Sequence, residues 1–243
     1  MQIGAYSHIG QVREINEDAY YISSNALNLF IVADGMGGHN AGEVASNVAI
    51  SSIKNFMEQN MDKYIDKEDK TICKILKEAI LEANHKIFLK SKEEESCQGM
   101  GTTLTVALIL SKVYVGHVGD SRAYIIQRDD ILQITQDHSL VAELVRNGSI
   151  TENEAKNHPQ RNMITRALGT DENVTIDIYT LDLKKDDTIV LCTDGLSNAI
   201  EANEIKNTVM DCDNMQYACE HLVALANERG GHDNITVIAI KNR

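Results

Sequence analysis

Acidic residues stand where the apolar runs of this chain break off. Asp34 closes IVADG, Asp194 closes VLCTDG, and Asp233 opens HDNITV. Asp120 follows VGHVG, and Glu17-Asp18 precede AYYI. Each one alone is an ordinary turn signal, because Asp-Gly and Asp-Asn are common ways to turn a chain after a strand. As a set they imply more. Carboxylates at strand ends can converge on one point, and without counter-charge they repel and raise one another's pKa. Oxygen ligands gathered in this way suit Mg2+ or Mn2+, with positions left for water. Gly35 adds a carbonyl that can approach a cation closely, since no side chain stands in the way. The run Gly35-Met36-Gly37-Gly38 lets the chain turn beneath such a site, and it is not a nucleotide-binding loop because no Gly-Lys-Ser/Thr follows. Arg13, just upstream, can grip a phosphate with two hydrogen bonds. Pairing with Glu14 or Glu17 is its plainer alternative.

These residues need strands and helices to hold them. Leu27–Ala33 reads as a buried strand ending in Asp34-Gly35. A helix is expected from about Gly42 to Met57, with Val44, Val48, Ser52 and Phe56 on its apolar face. A second is expected over Thr71–Leu89, where Ile72, Ile75, Leu76, Ala79, Ile80, Ala83 and Ile87 keep the i, i+3, i+4 rhythm. The stretches Thr102–Leu110, Lys112–Val118 and Arg122–Gln127 are rich in β-branched and apolar residues. The turns between them are short, so neighbours are expected to pair antiparallel. Residues 137–170 carry two short amphipathic pieces around Asn147-Gly148 and read as an inserted surface subdomain. Thr188–Cys192, a helix around Met215–Glu228, and a strand over Ile235–Ile240 complete a mixed α+β layered domain.

Bulk properties narrow the function classes. The chain has 243 residues and one proline, Pro159, with no linker-like tract, so one compact domain over 1–243 is expected. A net charge of −13 argues against nucleic acid and anionic membrane as partners. It also sits badly with a phosphate substrate unless cations held by some of the acids invert the local field. Five cysteines, with no C-x-x-C among them, give neither a disulfide framework nor a zinc site. No apolar run reaches the ~20 residues of a membrane span. The N-terminus lacks a signal-like apolar run, and a cytoplasmic location is expected.

Eight segments, in order, resemble the metal-dependent protein phosphatase family, the type-2C phosphatases of serine and threonine. They are REINEDAYY (13–21), VADGMGGHNAGEVAS (32–46), MGTTLTVA (100–107), VGHVGDSRAY (115–124), TQDHSLV (135–141), NMITRALG (162–169), VLCTDGLSN (190–198) and GHDNITVIAI (231–240). The DGMGGH form and the short length are similar to the bacterial branch. The resemblance implies a four-layer α-β-β-α sandwich, two antiparallel sheets flanked by helices, with residues 137–170 as a flap. It implies two core Mn2+ or Mg2+ ions and a weaker third. Asp34 would bridge two ions, with the Gly35 carbonyl on one of them. Asp194 and Asp233 would hold the other, Glu17 would sit beside the Gly35-side ion, and Asp120 would serve the third. Asp18 would orient a metal-bound water, and Arg13 would hold the phosphate. The expected reaction is attack on phosphoserine or phosphothreonine by a hydroxide shared between two cations. The expected partners are phosphoproteins, a cognate bacterial serine/threonine kinase among them, acted on by a monomer.

One position departs from the pattern. Some relatives carry a histidine directly after Asp-Gly as a proton donor, and here Met36 stands there. The nearest loop histidine, His39, takes over as candidate general acid. His117 and His221 are expected to be structural, His138 and His232 to serve turns or packing, and Thr102 and Thr103 to support a core strand. A cysteine-based phosphatase is excluded, because no cysteine is followed by arginine six positions on; Cys192, for example, is followed there by Asn198.

Overall fold

The computed structural model describes residues 1–23, 27–37 and 41–243. Two antiparallel sheets lie face to face. One has the order β1 (Gln2–His8), β11 (Ile235–Lys241), β10 (Thr188–Cys192), β7 (Arg122–Gln127), β8 (Asp130–Gln133). The other has the order β2 (Asp18–Ile22), β3 (Leu29–Met36), β5 (Leu104–Ile109), β6 (Val113–Val118), β9 (Asp177–Leu181), with the short β4 (Gly101–Thr102) pairing with β3. Strands that are apolar on both faces build this arrangement. In β3, Phe30 and Val32 point between the sheets with Ile189, Leu191, Ile238 and Ile240. Leu29, Ile31 and Ala33 point the other way, toward α1 (Ala41–Gln59) and α2 (Asp69–Glu93). That is the period-two alternation of a strand. On the far side, α6 (Ala202–Asp211) and α7 (Met215–Glu228) cover Val190, Cys192, Val237 and Ala239. The layers run α-β-β-α, as expected.

Three expectations need correction. The face that α1 buries is Ala45, Ala49, Ile53 and Met57, one position along from the expected row; of that row Ser52 is buried, while Val44, Val48 and Phe56 pack half-buried at the margin. Ala45 and Ala49 let the first half of the helix lie close to the sheet, where Val44 and Val48 would not fit. Next, β6 does not pair with β7. Its partners are β5 and β9, and Gly119-Asp120-Ser121 carries the chain across to the other sheet. Last, β3 does not end at Asp34 but runs on to Met36, where Gly35 and Met36 pair with Thr102 and Gly101. Strands β1, β8 and β9 and helix α6 were not foreseen. They carry short or mixed apolar patterns, and β8 is largely exposed.

Residues 137–170 hold α3 (Leu140–Arg146) and α4 (Glu152–Lys156) on either side of Asn147-Gly148. Ser139 caps α3, Thr151 and Glu154 form a capping box on α4, and bridges Ser139↔Ile164 and Thr102↔Leu168 tie the segment down.

Candidate metal centre

Both sheets end together at one edge of the sandwich, and the acids collect there. Asp18 and Asp34 are direct partners across the β2–β3 ladder. Asp34 continues the inward row of Phe30 and Val32, so its carboxylate enters the space between the sheets. Asp120 lies in the crossing from β6 to β7. Asp194 follows β10 and starts the short helix α5 (Asp194–Ser197), and Asp233 precedes β11. Like charges facing across a ladder are unfavourable, so this set needs a counter-charge.

Electrostatics express that need. Burial, then the charges of Asp18, Asp194, Asp120 and Asp233, holds the Asp34 carboxyl well above the ordinary aspartate range. Burial also raises Asp18, partly offset by the hydroxyls of Thr236 and Thr193, which donate to its Oδ2 at 2.7 and 2.9 Å. Asp120 is pushed up to about 8 by burial and by Asp194. Asp194 rises to about 6 through burial and Asp233. Asp34 and Asp194 keep some solvent contact although protein surrounds them, as the floor of a water-lined recess would. Asp18 Oδ1 and Asp120 Oδ1 are buried without a hydrogen-bond partner. A buried carboxylate oxygen left bare is costly unless something positive meets it. All the donors are oxygens, so the set fits a hard divalent cation. Among the described residues no trio of His, Cys, Asp or Glu closes a cage by itself.

The scaffold around the acids is specific. Thr103 Oγ1 accepts from the Asp34 amide at 3.0 Å and bonds Ser121 Oγ at 2.7 Å, while Thr102 Oγ1 donates to the Asp34 carbonyl at 2.9 Å. These threonines therefore brace Asp34 rather than merely filling a core strand. Gly35 packs against the Gly42 carbonyl and the Glu17 carbonyl so closely that a Cβ would collide with both. Glu17 is half-buried; burial raises its pKa while the Gly42 amide and Arg13 pull it down. Arg13 is half-exposed and donates from Nη2 to Asp233 Oδ2 at 2.8 Å, so its partner is neither Glu14 nor Glu17. Asn234 holds the irregular 9–17 stretch: its Nδ2 donates to the carbonyls of Ile9 and Ile15, both at 2.9 Å, and its Oδ1 accepts from the Glu17 amide at 2.8 Å.

Thus Arg13, Glu17, Asp18, Asp34, Gly35, Asp120, Asp194 and Asp233 are brought to one edge. His39, the candidate proton donor, lies outside the described residues. His117 is buried and held by Thr105 and the Gln136 carbonyl, but His221 is exposed on α7 and is no core residue. Sequence reasoning missed Thr193, Thr236 and Asn234. The inward row Thr236, Ile238, Ile240 was a usable signal for Thr236; nothing local announces the long reach of Asn234. A surface hollow of about 410 Å3 along α7, lined by Tyr217, Glu220 and His221 among others, includes none of these acids.

Residues 6–232 match the family profile described as protein phosphatase 2C. The chain is 38% identical to the serine/threonine phosphatase stp of Listeria monocytogenes, an alignment covering 96% of this chain and 92% of that one. The crystal structure of the Mycobacterium tuberculosis serine/threonine phosphatase PstP/Ppp superposes with a TM-score of 0.89 at 35% identity, covering 100% of this chain and 99% of that one. The catalytic domain of a serine/threonine protein phosphatase PstP in complex with two manganese ions superposes with a TM-score of 0.83 at 33% identity, covering 98% and 96%.

Proposed function

The chain belongs to the protein phosphatase 2C family, and we propose that the acid cluster at the sandwich edge is where it holds its cations and cleaves phosphate esters. It is a metal-dependent serine/threonine protein phosphatase acting on phosphoproteins. The carrying observation is the buried, mutually repelling set Asp18, Asp34, Asp120 and Asp194, with two bare carboxylate oxygens and no lysine or arginine neutralising them at hydrogen-bond distance among the described residues.

Mn2+ or Mg2+ at this place lowers the pKa of water and neutralises phosphate charge. Asp34, the Gly35 carbonyl and Glu17 would hold one ion, Asp34, Asp194 and Asp233 together with water would hold a second, and Asp120 would serve a weaker third. Asp18, fixed at Oδ2 by two threonine hydroxyls, keeps Oδ1 to orient water for attack on phosphorus. Arg13 spends one of its five N–H donors on Asp233, leaving others for the equatorial phosphate oxygens. The serine or threonine alkoxide leaves with a proton from a group such as His39. Residues 137–170 form the flap beside the recess, and 1–243 act as one catalytic domain.

We extend this to a cytoplasmic monomer that opposes a cognate bacterial serine/threonine kinase. The charge of −13 supports a partner that is neither nucleic acid nor an anionic membrane. No described helix is long and apolar enough to cross a membrane. The test of the site is Asp34→Asn and Asp194→Asn, each expected to lose roughly a hundredfold or more in turnover on phosphopeptide, since metal activation supplies several kcal/mol. Near-normal turnover in either variant would remove that residue from the ligand set.

A further inference from the structure

The acid cluster and the 137–170 segment are built from different parts of the chain, yet one buried imidazole touches both. His138 is 4% exposed. Its Nδ1 accepts the Gly119 amide at 3.0 Å, and its own backbone N–H donates to the Gly119 carbonyl at 2.8 Å. Gly119 has φ +111°, a conformation other residues rarely adopt, and Thr103 leaves no room there for a Cβ. It immediately precedes Asp120.

The other ring nitrogen faces the flap's anchor. A backbone N–H can only donate, so Nδ1 carries the lone pair and Nε2 carries the proton. Nε2–H then donates to Asp177 Oδ2 at 3.0 Å. Arg166, near the end of the 137–170 segment, donates from Nη1 to Asp177 Oδ1 and to the Thr175 carbonyl, each at 3.3 Å; its Nη1 lies 2.9 Å from Nε2, two donors that the shared Asp177 carboxylate holds side by side. The His138 carbonyl accepts from the Thr165 amide at 2.8 Å. The two limbs of one ring therefore fix the entry to Asp120 and the return of the 137–170 segment.

We propose that His138 is a positioning residue, a joint that sets the Gly119–Asp120 turn through Nδ1 and seats the flap through Nε2, so that cation binding at Asp120 and phosphopeptide binding under the flap are coupled. This rests on the assignment of Asp120 to a weaker cation and of residues 137–170 to a flap beside the recess. The coupling is reciprocal by necessity: if a substrate that settles the flap tightens the cation, the cation tightens the substrate by the same factor.

Two substitutions divide the limbs. The Asn Oδ1 stands close to the position of His Nδ1, and the Gln Nε2 close to that of His Nε2. His138→Asn keeps the acceptor for Gly119 and loses the bond to Asp177; His138→Gln does the reverse. Mn2+ binding by calorimetry, hydrogen exchange at the Gly119 amide, and KM for a phosphopeptide are measured on both, with Asp120→Ala as reference. Asp120→Ala is expected to lose the weakest Mn2+ step. His138→Gln should weaken that step and speed Gly119 exchange, each about tenfold, the effect of one lost hydrogen bond to a buried group. His138→Asn should keep both and instead raise KM. Equal effects of the two variants on all three readouts, as a general loss of packing would give, overturn the joint. So does an intact weak Mn2+ step in His138→Gln when Asp120→Ala has lost it. If Asp120→Ala itself keeps every Mn2+ step, the assignment of Asp120 fails, and the joint fails with it.

Discussion

Stripping the cations should make this protein less stable as pH rises above 6.5, the reverse of common acid denaturation. The sign follows from which state holds more protons. An aspartate whose folded pKa is raised binds protons in the folded state that the unfolded chain has released, so stability falls as pH climbs toward the folded pKa. Asp194 at about 6 contributes this below neutrality. His117 opposes it there: burial, then His138, lowers it from 6.5 to about 4, so it adds stability as pH rises across that window. Above 6.5 the histidine has nothing more to give. Asp120, at about 8, is still releasing its proton, with Asp18 and Asp34 also raised. One proton retained over about 1.5 pH units is worth about 2 kcal/mol. For a chain of this size that corresponds to a fall in Tm of about 4–8 °C between pH 6.5 and 8. The assay is thermal unfolding by circular dichroism in chelator at constant ionic strength, repeated in Mn2+. Bound cation should remove the decline and add about 3 kcal/mol at a hundredfold excess over Kd. Asp120→Asn, which carries no charge to bury, should flatten the slope in chelator. A chelated wild type whose Tm is flat or rises from pH 6.5 to 8 would refute the reasoning.

Other expectations concern single side chains. Arg13→Ala should raise KM for phosphopeptide with metal affinity nearly unchanged; weakened metal binding at constant KM would make its contact with Asp233 structural. Thr236→Val leaves Asp18 Oδ2 with one hydroxyl in place of two, which should cost about 1.5–3 kcal/mol in denaturant titrations at a pH well above the raised Asp18 pKa of about 7, the range for hydrogen bonds to charged groups. An unchanged midpoint would mean that Asp18 is protonated or solvated there. His39→Ala, assayed on a phosphoserine peptide and on p-nitrophenyl phosphate, should impair only the peptide, whose alkoxide needs a proton to leave. Equal losses on both would give His39 a loop-shaping role.

What the sequence revealed divides by range. Periodicity along α2 and the continuous apolar runs of β5, β6 and β10 are local properties, and they placed those elements within a few residues. The acids were legible because each sits at the end of such a run. Pairing was not legible. Three residues between β6 and β7 suggested a hairpin, but Gly119 takes a left-handed conformation and Asp120 turns inward, so the chain changes sheets instead. Helix α1 misled because the first half of its buried row is alanine, Ala45 and Ala49, which carries little hydrophobic signal, whereas the larger Val44 and Val48 lie at the margin. The contacts that brace the cluster were hidden for another reason. Thr193, Thr236 and Asn234 act on residues more than a hundred positions away, and a threonine in a strand looks the same whether it fills space or holds a carboxylate.

The pairing of β1 with β11 has a consequence for synthesis. Ser7 and Thr236 bond across it 229 residues apart, and Arg13 meets Asp233 across 220. A chain growing from its amino end makes β1 and the Arg13 stretch first, then must keep them unpaired until β11 has left the ribosome. Until then Asp18 lacks one of its two hydroxyls and Asp194 lacks its neighbour Asp233. No nascent fragment ending before residue 233 contains the whole carboxylate set. A translation product cut short before residue 233 is therefore expected to lack a complete site, as metal binding by such a fragment would check.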